Sequence, residues 1–239
     1  MPPGFYRHAA WLAFFTERYV LSVFYLVYAW AYFLAIRTLW PSASAWNNAD
    51  FAAFAQDVTM LLLMFSEGVT LLLGRRAEAA PKQLRELLVP LAASFFYLTY
   101  TTINNMPPWL QDSLGPENWQ VPLQVAGLGV VALGAALAAW GVAYLGRSFG
   151  IFVAVRKVVM RGPYRFVRHP IYFGYLFMFA GVALTYFCPA VFILVAIHYA
   201  LFFYRARLEE ARLAEFSPEY REYMKHTGFL FPKFRKING

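Results

Sequence analysis

The chain has 239 residues, of which 60% are hydrophobic and 20% aromatic, while only 14% are charged. A soluble domain carries about 25% charged residues, so this composition excludes an ordinary globular domain and indicates a membrane protein. The net charge of +8 is typical of basic cytoplasmic loops, and we expect no nucleic-acid partner. Cys188 is the single cysteine, which excludes an intrachain disulfide, and no metal-ligand spacing is present.

Apolar segments of membrane-spanning length recur along the chain. The last two form one block interrupted at Pro189, which predicts a tight helical hairpin. The fold class is therefore all-α, a polytopic membrane bundle with a small cytoplasmic cap at about 207–239. We divide it into N-terminal transmembrane helices at 1–120 and a second part at 121–239. The predicted spans, about six in number, are 19–39, 55–73, 86–104, 121–145, 171–187 and 188–206.

Lysine and arginine are concentrated in alternate loops. Arg7 precedes the first span, the segments 74–86 and 146–170 are basic, and 105–120 contains no lysine or arginine. Because basic loops remain in the cytoplasm, we expect both termini there, in a multi-pass protein of a bacterial inner membrane or a similar membrane. Trp46 would then anchor the outer interface.

Small residues recur along the fourth span. Gly127, Gly134 and Gly141 are seven residues apart and so lie on one stripe of a helix. Such a stripe lets a neighbouring helix approach closely, and we interpret it as ordinary helix packing.

The stretch RGPYRFVRHPIYFGY concentrates basic residues just before the fifth span. Gly162 and Pro163 favour a turn, and Pro170 suits the first turn of a helix. Arg168 and His169 would then lie at the helix entrance, where free N–H groups and the helix dipole favour an anion. The alternative is that the arginines only hold the helix end at the membrane surface.

A second polar stretch, YRARLEEARLAEF, follows the last span. Arg205 and Glu209 are four residues apart, as in a surface ion pair on a solvated helix. If both ends of the hairpin return to one face of the membrane, Glu209 and Glu210 become neighbours of Arg168 and His169.

The tail combines aromatic and apolar residues. Ser217 is positioned to cap a short helix that carries Tyr220 and Tyr223, and the apolar run GFLFP follows. Two interpretations remain open: a segment lying on the membrane interface, or a lid that closes an aromatic pocket.

Two polar residues lie alone within apolar spans. Glu67 is an intramembrane carboxylate, which is a functional hypothesis by default, although it is near the cytoplasmic end of its span. His198 is an isolated imidazole, for which a hydrogen-bonded structural role is the simpler interpretation.

The two polar stretches and the tail together resemble the isoprenylcysteine carboxyl methyltransferase family, whose wider relatives include phospholipid N-methyltransferases. The resemblance covers about 145–232 and rests on elements in the family's order. These are Gly162, Tyr164, Arg165, Arg168, His169, Pro170, Tyr172, Glu209, Glu210, Tyr220, Tyr223 and Pro232.

The resemblance implies that 121–239 is the core of a methyltransferase, with S-adenosylmethionine as donor and S-adenosylhomocysteine as product. It implies that Arg168, Glu209 and Glu210 are catalytic. It implies a cofactor pocket formed by Gly162, Pro163, Tyr164, Arg165, His169, Tyr172, Tyr220, Tyr223 and Pro232.

The acceptor implied by the resemblance is a lipidic or membrane-partitioned small molecule, with a carboxylate as the leading expectation. The alternatives are a phospholipid or amine N-methyltransferase, a nicotinamide-dependent membrane reductase, and a small transporter. A transporter would need polar residues in several spans, and Glu67 and His198 do not form a path. The oligomeric state stays open.

Overall fold

The computed structural model describes residues 11–40 and 48–233. Arg7 and Trp46 lie outside these ranges, so the predictions made on them stay predictions. The described chain folds as helices, with two isolated β-bridges, and the predicted all-α membrane bundle is confirmed. By length and apolar composition three helices are able to cross a membrane, Trp11–Thr38, Glu117–Ser148 and Pro189–Phe216, and Pro170–Tyr186 is a shorter apolar helix.

The N-terminal part contributes three helices. Helix α1, Ser22–Leu39, continues a π-helical turn at Thr16–Leu21, and α2 spans Asn48–Leu72. Helix α3, Arg85–Phe95, changes to a 3-10 helix at Phe96–Asn105. The change follows an internal proline, which removes one backbone hydrogen bond of the helix.

The second part contains the longer helices. These are the short α4, Pro108–Gln111, then α5, Glu117–Leu145, α6, Pro170–Tyr186, α7, Pro189–Phe216, and α8, Pro218–His226. Prolines open α6, α7 and α8 because the first turn of a helix does not need their missing N–H.

Helices α5 and α6 pack backbone to backbone along two glycine stripes. A Cβ on Gly134 would lie 2.5 Å from the backbone nitrogen of Met178, and one on Gly174 would lie 2.5 Å from that of Ala138. The predicted stripe on the fourth span is therefore confirmed as a packing surface. The contact along this stripe holds α6 in place, and α6 carries several of the polar residues described below.

The predicted tight hairpin joins α6 to α7. Phe187 takes a left-handed conformation with φ of 42° between the two helices. Its carbonyl accepts a hydrogen bond of 2.9 Å from the backbone of Leu114. The hairpin brings the first residues of α6 and the second half of α7 to the same end of the bundle, which we name the motif end.

An extended crossing segment, residues 149–160, closes the motif end between α5 and α6. Its residues Ile151, Val153 and Val155 are almost completely buried. The Val155 backbone pairs with Ala79, in the loop between α2 and α3. The segment therefore ties the N-terminal helices to the second part of the chain.

Candidate functional site

A buried ion pair links the two polar stretches, as their placement around the hairpin predicted. Arg168 Nε donates to Glu210 Oε1 at 2.5 Å, and both side chains are buried. His169 Nε2 lies 3.2 Å from the same carboxylate oxygen. A carboxylate oxygen only accepts, so Nε2 carries the hydrogen. Glu210 thus joins the start of α6 to α7.

A second polar link lies in the first turn of α6. The Tyr172 hydroxyl donates to Glu209 Oε1 at 2.5 Å, and Arg205 Nε donates to the same oxygen at 3.0 Å. The Arg205 guanidinium also stacks on the Tyr172 ring, 5.5 Å from its centroid. Glu209 is 24% exposed, so this carboxylate remains open to a ligand.

Arg205 connects this site to the rest of the bundle. Its other donors bond the Ser94 hydroxyl at 2.8 Å and the carbonyls of Gly150 and Ile151 at 3.3 and 2.9 Å. One side chain on α7 therefore holds α3 and the crossing segment in place. The sequence indicated its pairing with Glu209 but not these partners, which are more than 50 positions away in the chain.

The tail packs onto the helix entrance. The backbone N–H groups of Arg168 and His169 donate to the carbonyls of Gly228 and Phe229 at 2.8 and 3.2 Å. The Arg168 guanidinium also donates to the carbonyl of Thr227. The entrance expected to attract an anion is thus occupied by the tail, which favours the lid interpretation over a segment on the membrane interface.

Three tyrosines surround the same end of the bundle. The Tyr223 hydroxyl donates to the Tyr164 carbonyl, and Ser217 Oγ accepts from the Tyr220 backbone at 3.1 Å, as the predicted cap requires. Burial raises the pKa of Tyr223 to about 12 and raises the pKa values of Tyr164 and Tyr220 as well. All three phenols therefore stay protonated near neutral pH.

These groups line a central cavity of about 190 Å³. The predicted site residues on its wall are Tyr164, Arg168, His169, Tyr172, Glu209, Tyr220 and Tyr223.

The other predicted site residues lie off the cavity wall. Gly162 has a φ of 60° and packs against the Tyr144 ring, and Pro163 is buried in the turn that follows. Arg165 and Pro232 are exposed. Their part in binding a cofactor stays a prediction. The buried Glu210 also lies off the wall, where it bonds the wall residues Arg168 and His169.

The N-terminal helices supply the far end of the cavity, a contribution that the sequence did not indicate. Glu67 on α2 is only 4% exposed and accepts a hydrogen bond from the Tyr175 hydroxyl on α6. Tyr97 and His198 line the same end. His198 Nε2 lies 2.9 Å from the Ala93 carbonyl, which agrees with its predicted hydrogen-bonded role.

Two further cationic side chains on the wall were missed. Arg156 pairs with the buried Glu17 of the π-helical turn, and Arg212 donates to the Ala80 carbonyl at 2.6 Å. Both arginines keep a buried Nε without a hydrogen-bond partner in the described part of the chain. Their only signal in the sequence was positive charge, which membrane topology also explains.

Comparison with known families supports a methyl-transfer role for this part of the chain. Residues 123–217 match the family model described as phospholipid methyltransferase, so the match begins within α5 and ends after α7. No curated protein matches the chain. The matched segment contains Arg168, His169 and Glu209, whose side chains meet in the cavity. Residues 123–217 are therefore similar to the phospholipid methyltransferase family, and this similarity supports a membrane methyltransferase.

Proposed function

We propose that the protein transfers a methyl group from S-adenosylmethionine to a lipidic acceptor that reaches the cavity from the membrane. The observation that carries this proposal is the wall of tyrosines and carboxylate at the motif end, to which the family-matched segment contributes Tyr164, Tyr172 and Glu209. When bound, S-adenosylmethionine would supply an electrophilic methyl group on a positively charged sulfur.

The motif end suits a cationic and aromatic ligand. Tyr164 and Tyr220 line this end, and a cation is attracted to aromatic rings and to a nearby carboxylate. Glu209 is the exposed carboxylate beside them. Arg205 and Arg168 are each already paired with a glutamate, so their charges are balanced and do not repel a cation.

The wall also suits the carboxylate of the same donor. Arg156 and Arg212 each have a buried Nε–H with no partner among the described residues, and an unpaired buried donor is costly unless a ligand satisfies it. Arginine recognises carboxylates well because its planar donors match the geometry of the two oxygens. These two side chains are therefore our candidates for the carboxylate of the donor.

The chain's own contribution to the reaction is alignment and exclusion of water. The tail covers the entrance through its hydrogen bonds to Arg168 and His169, and Phe229 packs edge-on against His169 at 4.9 Å. Holding two reactants in line can lower a barrier by several kcal/mol. This requires a site that water does not enter, and the covered entrance favours such a site.

A lipidic acceptor is consistent with the rest of the cavity. Beyond the polar groups its wall is apolar, with Met60, Leu63, Met64, Met178 and Phe179 from α2 and α6. We propose that the acceptor enters the cavity from the bilayer, between two helices, on the predicted cytoplasmic side. A carboxylate acceptor stays the prediction of the family resemblance, and an amine acceptor is the alternative.

Isothermal titration of the purified protein with two donor analogues tests the proposal. S-adenosylhomocysteine is uncharged at sulfur, whereas sinefungin carries an amine in that region. We expect both to bind, and we expect Glu209→Gln to weaken sinefungin more than S-adenosylhomocysteine. The loss is about 10- to 100-fold, as for a charge-assisted hydrogen bond.

Glu222→Gln serves as the control, because Glu222 is an exposed residue of α8 paired only with Lys225 and His226. Both analogues should bind this variant as they bind the unmodified protein. If neither analogue binds folded protein, the proposed donor is wrong.

A further inference from the structure

A buried carboxylate near the start of the described chain reaches the crossing segment from outside the family-matched residues. Glu17 lies in the π-helical turn Thr16–Leu21 and is only 4% exposed. It belongs to the long apolar helix Trp11–Thr38, whereas the family match begins at residue 123. A carboxylate inside a membrane-spanning helix is costly and is a functional hypothesis by default. The groups that Glu17 bonds therefore indicate its role.

Both oxygens of Glu17 bond the crossing segment. Oε1 accepts a hydrogen bond of 2.6 Å from the backbone N–H of Phe152, and Oε2 pairs with the Arg156 guanidinium. Both side chains of the ion pair are buried. Breaking a buried pair leaves one charge uncompensated, so the two side chains stay together in the folded protein. One carboxylate thus fixes the segment at its backbone and at its arginine.

Arg156 has a guanidinium that is held at one nitrogen and not at all of them. Glu17 engages Nη2, whereas the buried Nε has no hydrogen-bond partner among residues 11–40 and 48–233. Arg156 lines the central cavity, and Glu17 is not among the residues on that wall. Glu17 therefore supports Arg156 from outside the wall and leaves part of the guanidinium for a ligand.

A glycine gives the same guanidinium its room. A Cβ on Gly150 would overlap Cζ and both terminal nitrogens of Arg156. Gly150 is not among the residues with a positive φ, so a side chain is excluded here by space and not by backbone geometry. Gly150 and Glu17 are thus two distant positions of the chain that act on one arginine.

The benefit of this arrangement to an anionic ligand is positional. The negative charge of Glu17 balances that of Arg156 and by itself lowers the attraction of the arginine for a second carboxylate. Orientation has the opposite effect, because the planar donors of an arginine match a carboxylate only in a suitable geometry. A long side chain that is already held in place also loses less conformational entropy when the ligand binds.

We propose that Glu17 is a positioning residue, which holds Arg156 in the orientation that binds the carboxylate of the methyl donor. This rests on the proposed function and adds to its donor site a residue of the first membrane-spanning helix. Glu17 acts through Arg156 and through the backbone of Phe152, and it does not itself touch the donor. Gly150 belongs to the same device, because any side chain there displaces the guanidinium.

Two ligands separate positioning from general damage to the site. S-adenosylhomocysteine contains the carboxylate of the donor, and its decarboxylated analogue lacks only that group. Both are titrated against the purified full-length protein, by calorimetry and by displacement of radiolabelled S-adenosylhomocysteine. We expect the unmodified protein to prefer S-adenosylhomocysteine about 10- to 100-fold, as for hydrogen bonds to a charged group.

Glu17→Asp is the first variant. It keeps the negative charge but shortens the side chain by one methylene, so Arg156 loses its support while the charge balance is retained. Most of the preference for S-adenosylhomocysteine should disappear, with a loss of roughly 10-fold in its affinity. The affinity for the decarboxylated analogue should not change. A merely structural role of Glu17 would weaken both ligands alike, or would lower only the unfolding temperature.

Gly150→Ala is the second variant, and it decides alone if Glu17→Asp does not fold. It leaves both members of the ion pair in place and pushes the end of the Arg156 side chain aside. The same selective loss of S-adenosylhomocysteine affinity is expected. Because both changes displace one guanidinium, the double variant should lose little more than either single variant, since effects on a shared partner are not additive.

The matched control is Glu86→Asp. Glu86 is also a buried glutamate, and its backbone carbonyl accepts a hydrogen bond of 3.1 Å from Val153 of the crossing segment. Its carboxylate, however, bonds the Lys82 backbone at 2.5 Å and not Arg156. Both ligands should bind this variant as they bind the unmodified protein.

The possible failures of the two proposals are distinct. Equal weakening of both ligands in Glu17→Asp, or an unchanged preference in Glu17→Asp or Gly150→Ala, would overturn the positioning role. Equal affinity of the unmodified protein for the two ligands would overturn it as well, because the carboxylate would then not be recognised. If S-adenosylhomocysteine does not bind the folded, unmodified protein, the proposed donor is wrong instead.

Discussion

The two ends of the cavity use carboxylates in opposite ways. At the motif end Glu209 and Glu210 each meet an arginine, at 3.0 and 2.5 Å. At the far end Glu67 meets a tyrosine hydroxyl and no cation in the described part of the chain. Paired carboxylates hold elements together, because breaking a buried pair leaves one charge uncompensated. Glu209 is 24% exposed and also faces the cavity, so it combines this structural role with the role proposed for it in binding the donor.

The difference also follows the division of the chain. The paired carboxylates lie within residues 123–217, the segment that matches the methyltransferase family. Glu67 lies on α2, outside that match. Under the proposed function, the paired carboxylates belong to the donor site, and Glu67 lines the opposite end of the same cavity. Three substitutions test this distinction between the two ends of the cavity.

The largest effect is expected from Arg168→Ala at the paired end. It leaves Glu210 buried without its arginine and removes the guanidinium bond to the tail at Thr227. Breaking a buried pair costs about 3–5 kcal/mol. We expect a lower unfolding temperature and loss of S-adenosylhomocysteine binding. Arg221→Ala, an exposed position on α8, should change neither. Unaltered stability in Arg168→Ala would show that the pair does not hold the tail.

A smaller effect, shared by both ends, is expected from Gly134→Ala. Its new Cβ would lie 2.5 Å from the Met178 nitrogen, so α6 must shift, at a cost of about 1–3 kcal/mol. Because α6 carries both Tyr172 and Tyr175, the unfolding temperature and the affinity for S-adenosylhomocysteine should fall together. Gly129→Ala is the matched control, since nothing lies within 4 Å of its Cβ. A lower unfolding temperature with unchanged affinity would argue against α6 as the support of the donor site.

The smallest effect is expected from Tyr175→Phe, and it should be confined to the far end. The change removes the hydrogen bond to Glu67, worth about 0.5–1.5 kcal/mol. Thermal unfolding should show a loss of this size in the free energy of unfolding, while S-adenosylhomocysteine affinity stays constant. Tyr199→Phe removes a comparable bond to the Leu176 carbonyl outside the central cavity and should also leave that affinity unchanged. Loss of S-adenosylhomocysteine affinity in Tyr175→Phe alone would show that the two ends of the cavity do not act independently.

Local patterns predicted much of the scaffold. Pro189 marked the hairpin, the seven-residue glycine repeat marked the face of α5 that packs on α6, and Ser217 marked the start of α8. Each depends on residues close in sequence or on one helical period, so the chain itself carries the information. The meeting of Arg168 with Glu210 followed from the hairpin alone.

The remaining site depended on contacts between distant segments. Tyr175 bonds Glu67 across 108 positions, and Arg156 pairs with Glu17 across 139. No local rule selects such partners, because many apolar helices are able to pack in several ways until their side chains fit.

The sequence by itself therefore determined that this is a helical membrane protein with a basic, aromatic motif at one helix entrance. Composition, spacing and charge are properties of the linear chain, so they are known before any contact between distant segments is known. The tertiary structure decided that the tail covers that entrance and that the N-terminal helices place Glu67 in the same cavity. The burial of a side chain and its hydrogen-bond partners depend on its neighbours in space, and the packing of the helices determines those neighbours.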